Sequence, residues 1–149
     1  MAEAARILIV DDDESVRKGL IMILEDKGYS VDTAENGREA IEKSNRNFYN
    51  IALIDIRLPD MEGTQLLTAM KETLPKMVKI MVTGYPGLEN AIEAVNKGAD
   101  GYVVKPIVDM DAFLNTVKEH LKKQQEARKY SEQKVGDYVE SRIREQQDI

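Results

Sequence analysis

The segment 51–63, Ile-Ala-Leu-Ile-Asp-Ile-Arg-Leu-Pro-Asp-Met-Glu-Gly, constrains the fold more than any other part of the chain. An apolar run, Ile51 to Ile54, stops abruptly at Asp55. The run is short, and Pro59 and Gly63 follow it. Such a pattern predicts a fully buried strand of a parallel sheet. Its carboxyl end is where open α/β sheets bind ligands. Asp55 therefore stands where an acid is both accessible and positioned.

Four further apolar runs share this form. Arg6 to Val10 ends in Asp11, Asp12, Asp13 and Glu14. Tyr29 to Ala34 alternates Tyr29, Val31 and Thr33, as a strand near an edge would. Met77 to Val82 ends in Thr83 and Gly84. Gly101 to Val104 ends in Lys105 and Pro106. Helical spacing fills the intervals: Ser15 to Lys27 with Gly28 as its stop, Gly37 to about Asn45 with Asn36 as its cap, Gly63 to Leu74 closed by Pro75, Leu88 to Lys97 stopped by Gly98, and a fifth helix capped by Asp109. Strand and helix alternate five times across short connections. This predicts a doubly wound parallel sheet of the flavodoxin-like class, (βα)5, in the order 2-1-3-4-5.

Composition narrows the function. Hydrophobic residues make up 42% and charged residues 32% of 149, which describes one globular domain with a charged surface. A net charge of −6 argues against direct nucleic-acid or membrane-surface binding. With no cysteine and a single histidine, His120, thiolate chemistry and histidine-based metal or triad sites are excluded. No run reaches membrane-span length, residues 1–6 lack the apolar core of a secretion signal, and a cytoplasmic location is expected. Residues 11–19 hold no glycine-rich phosphate loop, which disfavours nucleotide binding.

One edge of the predicted sheet gathers chemistry. Asp11 and Asp12 follow the first strand, Asp55 the third, Thr83 the fourth and Lys105 the fifth. Taken singly, each has a structural reading: Asp12 or Asp13 as a helix cap, Thr83 as a turn residue, Lys105 as a surface charge. Together they select a hard cation such as Mg²⁺ and the chemistry of an aspartyl phosphate. Asp60 and Glu62, in the loop after Asp55, read as solvated acids.

These motifs resemble the receiver domain of two-component response regulators over roughly residues 6–123. The residues that carry the resemblance are Ile7-Leu-Ile-Val-Asp-Asp12, Leu53-Ile-Asp-Ile-Arg-Leu-Pro-Asp-Met-Glu-Gly63, Met81-Val-Thr-Gly84 and Tyr102-Val-Val-Lys-Pro106. The resemblance implies that Asp55 accepts a phosphoryl group from a histidine kinase. It implies Mg²⁺ held by Asp11, Asp12, Asp55 and the backbone carbonyl of Arg57, with Asp12 the more direct of the acidic pair. Thr83 and Tyr102 become the switch pair, Lys105 the partner of the phosphate, and Lys105–Pro106 a cis peptide. The output face is built from the fourth helix, fifth strand and fifth helix, and it meets a downstream protein or a second copy. Arg57 and Tyr85 match positions that tune phosphate lifetime. The stretch from Thr83 to Val95 is similar to receivers of the nitrogen-regulation type.

The resemblance implies a switch rather than an enzyme acting on other molecules. A phosphatase of the haloacid-dehalogenase type requires a second Asp where this chain has Arg57. An inactive receiver used only for binding is expected to lack an acid, Thr83 or Lys105, and none is missing. No ATPase, helix-turn-helix or catalytic output motif follows, so a stand-alone receiver at 1–123 is expected, or a fragment of a longer regulator. Residues 124–149 are dominated by Lys, Arg, Glu and Gln. They are expected to form a solvated helical extension or linker, or a short helix used in dimerisation or docking.

Overall fold

The computed structural model describes residues 4–84 and 87–147. Five parallel strands, β1 (Arg6–Val10), β2 (Ser30–Ala34), β3 (Ile51–Ile54), β4 (Val78–Thr83) and β5 (Gly101–Val104), form one sheet in the order β2-β1-β3-β4-β5. The helices between and after them are α1 (Glu14–Asp26), α2 (Gly37–Arg46), α3 (Gly63–Ala69), α4 (Leu88–Asn96) and α5 (Met110–Gln147). No described helix is long and apolar enough to cross a membrane.

The strand sequences read as continuous apolar runs because both faces are covered. Leu8, Val10, Ala52, Ile54 and Met81 pack with Ala40, Leu66, Leu67 and Ala94 on the side of α2, α3 and α4. Ile7, Ile9, Ile51, Leu53, Ile80 and Val82 pack with Leu20, Leu24, Phe113 and Val117 on the side of α1 and α5. Alternate residues of one strand thus serve opposite layers. The helix starts follow their caps. Asp13 accepts from the Ser15 and Val16 amides, Asn36 from Glu39, and Asp109 from Ala112.

One helix differs from the sequence-based expectation. Helix α3 ends at Ala69 rather than Leu74, with Met70 already in extended conformation. The apolar stripe stops at Met70. The Leu67 carbonyl, near the end of α3, is taken by the buried Lys79 ammonium at 2.7 Å instead of by a further turn. Burial holds the Lys79 pKa below its ordinary value. In α4 only Ala94 is buried, while Leu88, Ile92 and Val95 are exposed. Helix α5 runs 38 residues and carries the expected helical extension through Gln147. Gln124, the first residue of the segment rich in Lys, Arg, Glu and Gln, is buried. Its amide nitrogen donates to the Asn50 and Lys76 carbonyls, and its oxygen accepts from the Asn50 side chain.

Candidate functional site

The carboxyl ends of β1, β3 and β5 meet in a cleft lined by Asp11, Asp12, Asp55, Arg57, Gly84 and Lys105, among others. Backbone bonds between neighbouring strands set the registration: Asp55 N–H donates to the Val10 carbonyl, Asp11 N–H to Ala34, and Lys105 N–H to Thr83. One carboxylate oxygen from each of Asp11, Asp12 and Asp55 lies within 4.8 Å of the others. Asp11 and Asp55 are buried and Asp12 is exposed. The Lys105 ammonium donates to Asp11 Oδ2 at 2.8 Å and to Asp55 Oδ2 at 3.3 Å. Lys105–Pro106 is a cis peptide.

The electrostatics are unbalanced. Burial pushes the Asp55 carboxyl above its usual range. Lys105 pulls it back, and the Asp11 charge pushes it up again. For Lys105, burial works to lower the pKa, but the hydrogen bond and charge of Asp11, together with Asp55, outweigh it and the net direction is up. The Lys105 ammonium thus bonds two of the three clustered carboxylates. Among the described residues Asp55 Oδ1 is buried with no hydrogen-bond partner, while the Arg57 backbone amide helps Lys105 hold the carboxyl down. A buried carboxylate oxygen left in this state is costly. Oxygen ligands of this number and hardness suit Mg²⁺ or a similar dication, so the residues present fit the ion.

Thr83 and Tyr102 do not line this cleft. Thr83 is fully buried at the end of β4. Met81 pairs with Tyr102 and Thr83 with Val104, so all four side chains share the sheet face toward α4. The Tyr102 hydroxyl is buried, with no hydrogen-bond partner among the described residues. Tyr85 falls outside the described residues.

Several supporting residues were not anticipated. Arg17, one turn into α1, donates to the Asp11 carbonyl at 2.8 Å and reaches Glu35 at 3.4 Å. Asp60 is not a free loop acid. Its two oxygens accept from the Gly37 and Arg38 amides at 2.9 Å each, tying the loop after β3 to the start of α2. Glu62 caps α3 in a reciprocal pair with Gln65. At Gly63 a Cβ would lie 2.0 Å from the Asp55 carbonyl oxygen, so only glycine lets this loop fold back against the strand end. The spacing of Glu62 and Gln65, three residues apart at a helix start, was the available signal for Glu62; Asp60 left none. Arg17 left no such signal.

Residues 7–118 match the family model of the response regulator receiver domain. The transcriptional regulatory protein SrrA of Staphylococcus aureus is 38% identical over 108 residues, which are 72% of this chain and 44% of that protein. The chain thus spans less than half the length of the curated relatives it matches. Among solved structures, a CheY-like receiver domain protein from Methanospirillum hungatei is 46% identical with a TM-score of 0.78, over 83% of this chain and 98% of that one. A response regulator from Burkholderia pseudomallei, solved with a phosphorylated aspartic acid, a calcium ion and citrate, is 26% identical with a TM-score of 0.69, over 83% and 72% of the two chains.

Proposed function

The chain belongs to the response regulator receiver domain family, and from that premise we propose that it is a phosphorylation switch whose acceptor is Asp55. The observation that carries this reading is the buried, unbonded Asp55 Oδ1 beside two further carboxylates and one ammonium. The phosphorylated aspartic acid of the Burkholderia relative supports it.

Asp11, Asp12 and Asp55 would hold Mg²⁺, with the Arg57 backbone carbonyl as a further ligand. When bound, the ion supplies positive charge at the phosphoryl oxygens and relieves repulsion among the acids. The donor is a phosphohistidine of a histidine kinase. The phosphorus–nitrogen bond breaks and its electron pair stays on the imidazole. A bond forms between phosphorus and an Asp55 carboxylate oxygen. Lys105 shifts from its two carboxylate partners to bond an oxygen of the transferred group. Arg17 and Gly63 hold the strand ends that carry Asp11 and Asp55.

The switch follows from the change in charge. A phosphoryl group adds strong acceptors at the cleft, and the Thr83 hydroxyl turns toward it. Tyr102, on the same sheet face, reports the movement to α4, β5 and the first turns of α5. That face already exposes Leu88, Ile92, Val95 and Val104, a surface for a downstream protein or a second copy. The chain acts on no other substrate, binds no nucleic acid directly and works in the cytoplasm.

The test is incubation with acetyl phosphate and Mg²⁺, followed by intact mass. The expected result is an adduct of roughly 80 Da, the mass of one phosphoryl group, that requires Mg²⁺ and is absent in Asp55→Asn. A folded protein that takes no adduct contradicts the reading.

A further inference from the structure

Helix α5 has one face and two environments. Met110, Leu114, Val117, Leu121 and Gln124, spaced alternately four and three residues apart, lie on the side that packs against the sheet. The same alternation continues without interruption through Arg128, Ser131, Val135, Tyr138, Arg142 and Glu145. All of these are exposed. Helix α5 lines a groove with the loop at Leu74 and Pro75 as far as Glu132, and residues 133–147 project roughly 22 Å beyond it at 1.5 Å per residue. Among the described residues nothing packs on this outer part of a seam with the coiled-coil period. Val135 is 64% and Tyr138 60% exposed, and Val139 stands beside them at 48%.

We infer that a second copy of this chain covers this seam, with the two α5 extensions antiparallel about a two-fold axis. Charge decides the direction. A parallel in-register pair sets Arg128 against Arg128, Arg142 against Arg142 and Glu145 against Glu145, three like-charge layers in one short seam. The antiparallel pair that places Val135 of one copy opposite Tyr138 of the other places Arg128 opposite Glu145 and Ser131 opposite Arg142. Every seam residue then meets an apolar, neutral or opposite partner, and each contact occurs twice. The ion pairs within one chain, Arg128 with Glu132 and Arg142 with Glu145, lie on the exposed surface and are weak enough to rearrange.

The antiparallel arrangement also places the two domains at opposite ends of the helix pair. Glu145 and Gln146 of each extension then lie opposite Arg128 and Ala127 of the other copy. There a groove opens between α5 and the loop at Leu74 and Pro75. Leu74, 96% exposed, offers that groove an apolar wall. This interface is distinct from the face of α4, β5 and early α5, and it does not depend on phosphorylation.

The experiment is sedimentation equilibrium of the full chain over a wide concentration range, with Asp55→Asn as an unphosphorylatable control. Wild type and control are expected to dimerise alike, and Val135→Asp to be monomeric with unchanged helix content. Arg128→Glu should weaken the dimer by about tenfold, and adding Glu145→Arg should restore most of the loss. The chain has no cysteine, so introduced thiols report direction. An equimolar mixture of Arg128→Cys and Glu145→Cys chains should oxidise to the mixed disulfide. A monomer at all concentrations, a dimer indifferent to Val135→Asp, or disulfides only between like chains would each overturn the inference.

Discussion

The two ends of the sheet each carry a polar cluster, and the clusters are built on opposite terms. At the amino ends of the strands, Asn50 accepts from the Arg6 amide, and Gln124 bonds the Asn50 side chain, the Asn50 carbonyl and the Lys76 carbonyl. Asp32 accepts from the Tyr49 hydroxyl and the Arg6 guanidinium. Burial, then the bond to Asp32, drives the Tyr49 pKa far up. These groups are neutral or paired. At the carboxyl ends, three acids cluster, two of them share one lysine, and among the described residues a buried oxygen has no donor. A satisfied network stabilises one arrangement of the chain. An unsatisfied one stores free energy that an ion or phosphoryl group releases. The difference assigns structure to the first end and chemistry to the second.

The largest effect that would break this contrast concerns reactivity. Asp55→Asn should abolish phosphoryl acceptance outright, and Gln124→Ala should leave it intact when both are assayed by intact mass on folded protein. The next concerns stability. Gln124→Ala strands two carbonyls and the Asn50 amide, and it should cost about 2–3 kcal/mol in urea unfolding.

A smaller effect has the opposite sign. The ordinary Asp55 pKa is 3.8 and burial raises it. The native chain then keeps a proton that the unfolded chain releases, and stability falls as pH rises through that window. Asp55→Asn cannot ionise. It should be more stable than wild type by on the order of 1 kcal/mol near neutral pH, and the gain should vanish at pH below about 3.8. Thermal melts across pH would show it, and Mg²⁺ should narrow the gap by binding the native wild type. The smallest effect is Asp60→Ala, which removes the tie to α2 and should cost about 1 kcal/mol or less. Backbone bonds at Gly37 and Arg38 lower the Asp60 pKa. Its contribution is therefore present above the ordinary carboxylate range and fades as pH falls through the lowered value.

Most of the fold was legible because the strands are buried on both faces and the helices carry strong caps. Strand order and the gathering of Asp11, Asp12, Asp55 and Lys105 followed from topology alone. What escaped was set by contacts between segments distant in sequence. Helix α3 stops early because Lys79, on β4, bonds the Leu67 carbonyl. Gln124 is a core residue because Asn50 and Lys76 present carbonyls to it. Asp60 looked free because its donors, Gly37 and Arg38, lie more than twenty residues back. On α4 the sequence alone did not show that Leu88, Ile92 and Val95 face outward.

The contrast is tested most directly by locating the phosphoryl group. The chain holds 27 Asp and Glu residues, and after treatment with acetyl phosphate and Mg²⁺, borohydride reduces an aspartyl phosphate to homoserine. Peptide mass spectrometry should find that conversion at position 55 and nowhere else, and only when Mg²⁺ was present. Conversion spread over exposed acids, or centred on Asp11 or Asp12, would contradict the assignment of Asp55 as the acceptor.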